Sequence, residues 1–188
     1  MIRCPWATAD PLSLAYHDTR WGRPCRDDNE LFKMLVLEGM QAGLSWSLVL
    51  KKEAAILEAF EGLEIQRVAA YNLSRVDKLM ANPDLIRNRL KLSSVITNAK
   101  QCAALIEERG SFSDYLWSFV DNQPIVGTWH KMSDIPVTTE RSNALSKDLK
   151  KRGFKFIGGG ICYSLMQAVG LVNDHLASCA FRFPPDAK

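Results

Sequence analysis

Four residues near the two ends of the chain carry metal-ligand chemistry: Cys4 and His17 at the start, His175 and Cys179 at the end. The second pair is spaced i, i+4, which puts both side chains on one helical face. Two imidazole nitrogens and two thiolates form a donor set that suits tetrahedral Zn2+. Bound to one ion, they would pin the ends of the chain together. Spacing alone leaves a second reading open. Cysteine is often a small buried hydrophobe and histidine a polar core residue with a partner, and the usual finger spacings are absent. Cys25, Cys102 and Cys162 show no pairing pattern. Cys102 and Cys162 lie in apolar helical runs, where buried thiols are expected.

A second concentration of chemistry runs from Leu37 to Trp46. Glu38 sits near the end of an otherwise apolar helical run, with Gly39, Gly43 and Trp46 close behind. A buried carboxylate is costly unless paired or hydrogen-bonded, so a dedicated partner for Glu38 is expected. It is either a functional group or a structural one that caps nearby backbone or pairs with an arginine. Trp6, Tyr16, Trp21 and Trp46 gather in the N-terminal quarter. They could stack a flat heterocycle, although core packing is the commoner fate of tryptophan. Asn82 to Lys91 joins two helical segments and carries Arg87, Arg89 and Lys91. A short hairpin there could grip a phosphate backbone. A second basic group, Lys147, Lys150, Lys151, Arg152 and Lys155, reads as a solvated helix face. Gly158-Gly159-Gly160 lacks the Lys-Ser/Thr ending of a phosphate loop and reads as a tightly packed helix start.

The elements that must position these residues are helical nearly throughout. Asp27 and Asp28 can cap a helix through Leu31, Phe32, Leu35 and Leu37, and Ser45 can cap the next. Ser74 followed by Asp77 reads as a capping box. The clearest helix passes through Leu92, Val95, Ile96, Ala99, Ala103 and Ile106 and ends at Gly110. Further helices are expected over 113–120, from Thr139 to Gly153, and over 161–171, with 121–137 irregular. No sustained strand alternation appears, so the fold class is all-α. At 188 residues the chain forms one domain or two small lobes. With 47% apolar residues it is globular, and no apolar run reaches the ~18 residues of a membrane span. The absence of a signal-like N-terminus and an odd cysteine count point to a reducing cytosol. A net charge of +3 permits a nucleic-acid partner without requiring one.

Taken in order along the chain, these segments closely resemble the 3-methyladenine DNA glycosylase I family of the helix-hairpin-helix DNA glycosylase superfamily. The resemblance rests on Arg3-Cys4 with Trp6, Ala15-Tyr16-His17-Asp18, Trp21-Gly22, Leu37-Glu38, Gln41-Ala42-Gly43-Leu44-Ser45-Trp46 and Trp117-Ser118-Phe119-Val120. It continues through Ala144-Leu145-Ser146-Lys147, the run from Lys150 to Phe156, Ile161-Cys162-Tyr163-Ser164, Gln167-Ala168 and the run from Gly170 to His175.

The resemblance implies removal of 3-methyladenine from double-stranded alkylated DNA by a monomeric, cytoplasmic, monofunctional hydrolase with free 3-methyladenine as product. It implies a structural zinc held by Cys4, His17, His175 and Cys179. Glu38 and Tyr16 would hydrogen-bond the extruded base and Trp46 would stack on it. Trp6, Trp21 and Ser164 would wall the pocket, and Gly43 and Leu44 would enter the gap left in the duplex. The implied layout is a single unit of two helical lobes, a hairpin lobe over about 28–120 and a zinc-tied lobe over about 1–27 plus 121–188. Glu38 is expected to favour a cationic base over neutral adenine. No equivalent of the superfamily's catalytic aspartate is evident. In one respect the sequence departs from the pattern: hairpin turns usually carry glycines beside phosphate, but Asp84 and Leu90 occupy the comparable positions. Arg87, Arg89 and Lys91 are expected to compensate. Two other readings remain at this point, a bifunctional glycosylase/lyase using Lys91 as an imine-forming amine and a damage-binding relative without turnover.

Overall fold

Side-chain caps set most of the helix boundaries in the computed structural model, which describes residues 1–183. Helix α1, Pro11–Thr19, opens on Asp10, whose carboxylate accepts from the backbone N–H groups of Leu12 and Ser13. Helix α2, Asp28–Gln41, is capped by Asp27, and α3, Trp46–Ala59, by Ser45. Two short helices follow, α4, Ile65–Ala69, and α5, Arg75–Ala81. Asn88 caps the long helix α6, Arg89–Arg109, which stops at Gly110 with φ +88°, a conformation that favours glycine. Ser111 caps α7, Phe112–Ser118. A reciprocal Thr139–Ser142 capping box opens α8, Glu140–Lys151. Helix α9, Gly159–Ala168, begins at Gly158 without a side-chain cap.

Several expectations are corrected. Ser74 precedes α5 but makes no capping bond, because its backbone (φ −58°, ψ −22°) is already helical. Helix α7 begins one residue earlier than expected, and α9 covers 159–168, not 161–171. Helices α1 and α4 are additions to the predicted set. The chain is mostly helical but not purely so, since β1, Ile125–Val126, pairs in parallel with β2, Val172–Asn173. Strands of two residues are too short for alternation to register in the sequence.

Helix α2 is the centre of the molecule. Every residue from Leu31 to Met40 except Lys33 is buried, and α3, α6, α7 and α9 pack around it. A helix apolar on all sides belongs in an interior. Each fully buried leucine or phenylalanine there contributes roughly 1.5–3 kcal/mol. Glu38 is therefore carried inside by its neighbours. The two ends of the chain close against α9: Gly22 N–H donates to Gln167 O (3.1 Å), Cys25 N–H to Val169 O (3.0 Å) and Ala180 N–H to Ile2 O (3.0 Å). Gly170 permits that crossing, because a Cβ there would lie 2.4 Å from the carbonyl carbon of Arg23. Among the described residues no helix is long and apolar enough to cross a membrane.

Candidate functional site

A cleft of about 720 Å³ opens where α1, the α2–α3 turn and α9 meet the 132–137 loop. Trp6, Tyr16, Trp21 and Trp46 all face it, as does Glu38. The aromatic walls interlock: Trp6 meets Trp21 edge-on at 5.0 Å between centroids, and Tyr16 lies 5.1 Å from Trp46 at 55°. Gly43 and Leu44 form one rim, Val137 stands exposed on the opposite one, and Ser164 lines the α9 side.

Three polar groups of this cleft are unsatisfied. Glu38 is 5% exposed and makes no hydrogen bond or ion pair with any described residue. Burial alone pushes its pKa up to about 8. The expected internal partner is thus a correction: apolar side chains surround Glu38 on α2, and Arg20, which lies over the Tyr16 ring, is committed to both carboxylate oxygens of Glu53 at 2.9 and 2.8 Å. The Tyr16 hydroxyl and Trp46 Nε1 are also buried without a partner. Burial, followed by the field of Glu38, raises the Tyr16 pKa well above its ordinary value. An unmet buried polar group costs about 1–3 kcal/mol. Around these π faces, the Glu38 carboxylate suits a flat cationic ligand with N–H donors and the Trp46 indole N–H suits an acceptor on it.

Behind this wall lie the four metal-ligand candidates. Cys4, His17, His175 and Cys179 are all buried, with their donor atoms within 4.8 Å of one another. Cys179 Sγ is 3.4 Å from His175 Nδ1 and 3.5 Å from His17 Nε2, and Cys4 Sγ is 3.8 Å from His175 Nδ1. A tetrahedral zinc with ordinary bond lengths separates its donors by about 3.4–3.8 Å, so the set fits such an ion. The outer nitrogens are held as well: His17 Nδ1 is 2.8 Å from Asp18 Oδ1, and His175 Nε2 is 3.3 Å from Trp21 O. Such contacts fix the tautomers that point the other nitrogens at a metal. Arg3 in turn holds Asp18 through Nε at 2.9 Å. Burial pushes the Cys4 thiol up to about 12 and His175 down to about 4; a divalent cation would reverse the first of these. The expected helical face is corrected, since residues 174–180 are irregular chain with turns at 177–178 and 180 after β2. Cys179 approaches His175 because the chain reverses there, with Cys179 N–H donating to Leu176 O at 2.8 Å.

Residues 6–183 match the family model for methyladenine glycosylase. The chain belongs to that family. It is 48% identical over 179 residues to DNA-3-methyladenine glycosylase 1 of Escherichia coli (strain K12), covering 95% of this chain and 96% of that protein. It is 46% identical to the DNA-3-methyladenine glycosylase of Haemophilus influenzae, with 94% and 96% covered. A solved structure of a variant 3-methyladenine DNA glycosylase I in complex with 3-methyladenine superposes with a TM-score of 0.93 at 38% identity, covering 97% of this chain and 98% of that one.

In this methyladenine glycosylase family member the DNA-contact candidates separate. Gly43, with φ +74°, and Leu44 are exposed at the cleft mouth. Arg87 is exposed and free of partners among the described residues, whereas Arg89 pairs with Asp77 at 2.8 Å. Lys91 is corrected. It is 5% exposed and its ammonium donates to Met40 O (2.7 Å) and Ala42 O (2.6 Å). It braces the end of α2, and both contacts hold its ammonium inside the fold. Leu90 does not stand in a hairpin turn at all, because it lies inside α6.

Sequence reasoning passed over two features. The α8–α9 turn holds the glycines missing from 82–91: Gly153 at φ +90° and Gly158–Gly160 at the start of α9, with Gly160 in the cleft wall. Lys147, Lys150, Lys151 and Lys155 are exposed around it. The triple glycine was the available signal. The second feature is buried Asp174, which gathers side chains from α9 and from the loop after β1.

Proposed function

We propose that this chain is a monofunctional DNA glycosylase that removes 3-methyladenine from alkylated duplex DNA, working as a cytoplasmic monomer. The observation that carries the reading is Glu38, a buried carboxylate with no internal partner, set among aromatic faces. Methylation at N3 makes adenine cationic and weakens its bond to the sugar. A carboxylate that ionises on meeting a cation favours that base over neutral adenine. Tyr16 and Trp46 supply the remaining hydrogen-bonding groups and the stacking face, while Trp6, Trp21 and Ser164 shape the walls.

Bond breakage moves the glycosidic electron pair onto the base, which leaves as neutral 3-methyladenine. Water adds its hydroxyl to C1′ and its remaining proton passes to solvent. The lesion is already activated, so no strong general acid is needed. Gly43 and Leu44 occupy the gap in the duplex. We read the α8–α9 turn as the DNA-gripping hairpin in place of 82–91, with backbone N–H groups at the start of α9 and the lysines around it facing phosphates. Arg87 adds a charge at the far rim. Cys4, His17, His175 and Cys179 hold a zinc that, with four protein ligands, has a structural role only. The lobes over about 28–120 and about 1–27 plus 121–188 meet at the cleft.

A lyase mechanism through Lys91 is disfavoured by the two backbone carbonyls that hold its ammonium. The deciding experiment is incubation with methylated duplex DNA and chromatographic identification of the freed base. Release of 3-methyladenine with no borohydride-trapped adduct is expected. Binding to abasic-site DNA without base release would leave a damage-binding protein instead.

A further inference from the structure

The Asp174 carboxylate is 1% exposed and accepts three hydrogen bonds. Trp129 Nε1–H donates to Oδ1 at 2.6 Å, while the Tyr163 hydroxyl (2.5 Å) and Gln167 Nε2–H (2.8 Å) both donate to Oδ2. The arrangement is sealed from behind: a Cβ on Gly127 would lie 2.5 Å from Asp174 Oδ1 and 2.2 Å from Trp129 Nε1. Gln167 reaches this carboxylate through its amide nitrogen, because a carboxylate oxygen is an acceptor and the amide nitrogen is the donor. Gln167 lines the cleft. Its Oε1 has no partner among the described residues and is the amide atom left to face a ligand.

Resting on the function proposed above, we infer that Gln167 is a specificity-determining residue and that Asp174 fixes its polarity. Gln167 presents a hydrogen-bond acceptor to the cleft. Adenine carries an amine donor at position 6, where guanine carries a carbonyl acceptor. A fixed acceptor pairs with the first and opposes the second. A freely rotating glutamine amide would accommodate either purine, and the carboxylate behind it removes that freedom. The discrimination follows from leaving a buried polar group unpaired when the wrong base enters.

The test is release of 3-methyladenine and 3-methylguanine from the same methylated DNA by wild-type protein and Gln167→Met. Methionine fills similar space without an acceptor. The expected result is about a tenfold fall in 3-methyladenine release, the scale of one hydrogen bond to a charged partner, with 3-methylguanine release unchanged or raised. Both bases come from one incubation, so their ratio is independent of how much protein is folded. A structural role would lower both alike. Trp129→Phe, which removes a different donor from Asp174, should leave the ratio at its wild-type value. An unchanged ratio in Gln167→Met, or the same change in Trp129→Phe, overturns the inference. Failure of the wild-type protein to release 3-methyladenine would instead overturn the function on which it rests.

Discussion

Tyr16 and His17 are adjacent on α1 yet serve two regions of opposite design. His17 enters a cluster in which each buried donor has a counterpart and even the outer imidazole nitrogens are held. Tyr16 enters a cleft whose hydroxyl, indole and carboxylate groups are buried and unmatched. Both regions concentrate polar atoms inside an apolar fold, and both depend on the same aromatic wall, since Trp21 lies 6.0 Å from His17 and 4.6 Å from His175. The difference separates structure from recognition. Satisfied polar groups hold the fold, and unsatisfied ones hold free energy in reserve for a ligand.

The largest effect that can break this comparison is on the satisfied side. If the four-residue cluster holds the structural zinc proposed for it, strong chelation, or Cys179→Ser, should destabilise the protein by several kcal/mol, because binding energy at such a site is folding energy. Thermal unfolding followed by circular dichroism reads this, with activity lost in step with the fold. Rapid loss of activity at unchanged melting temperature would move the metal into the chemistry. A smaller effect is expected between the two regions. Lys91→Met should weaken base release while leaving the Cys4, His17, His175 and Cys179 cluster intact, since Lys91 braces the α2 end that carries Glu38 toward the α2–α3 turn. A release constant lowered about tenfold, the scale of a charged hydrogen bond, with zinc content unchanged, would place the effect in the cleft. The smallest is Tyr16→Phe, which removes an unmatched hydroxyl. It should raise stability by about 1 kcal/mol and lower affinity for 3-methyladenine several-fold, read by denaturant unfolding and by quenching of tryptophan fluorescence.

How much of this was legible in the sequence depended on which atoms do the work. Side-chain identities carried Cys4, His17, His175 and Cys179, and likewise Glu38 and the aromatic walls, because their types are unusual and their order along the chain resembles one family. Roles set by backbone partners were not visible. Lys91 reads as a surface cation beside Arg87 and Arg89, and its carbonyl partners at Met40 and Ala42 lie about fifty residues away. Any residue offers a carbonyl, so no side chain marks those positions. The Gln167–Asp174 contact is different in kind, since the partner is a side chain seven residues on, but a turn and a strand separate the two and their spacing alone does not bring them together. The turn that brings Cys179 to His175 has the spacing of a helix, and the sequence does not distinguish the two. The glycines of the α8–α9 turn were plain, but beside a basic helix they read as packing.

The central claim is that Glu38 is left unmatched for a cationic base. Its pKa is raised in the folded protein to about 8, against 4.5 for an ordinary glutamate. The folded state therefore holds a proton that the unfolded state has released between these values, and stability falls as pH rises from about 4.5 to about 8. At roughly 1.4 kcal/mol per unit the penalty reaches a few kcal/mol. The direct measurement is Glu38→Gln, with unfolding free energy and 3-methyladenine release both followed from pH 5 to 9. The predicted variant is close to wild-type stability at the acid end, gains on it progressively as pH rises with the full difference reached by about pH 8, and releases base about a hundredfold more slowly, the scale of a charged hydrogen bond in a closed site. Its release should also lack the wild-type rise in kcat/KM toward pH 8. Equal stability at all pH values together with undiminished release would contradict the account.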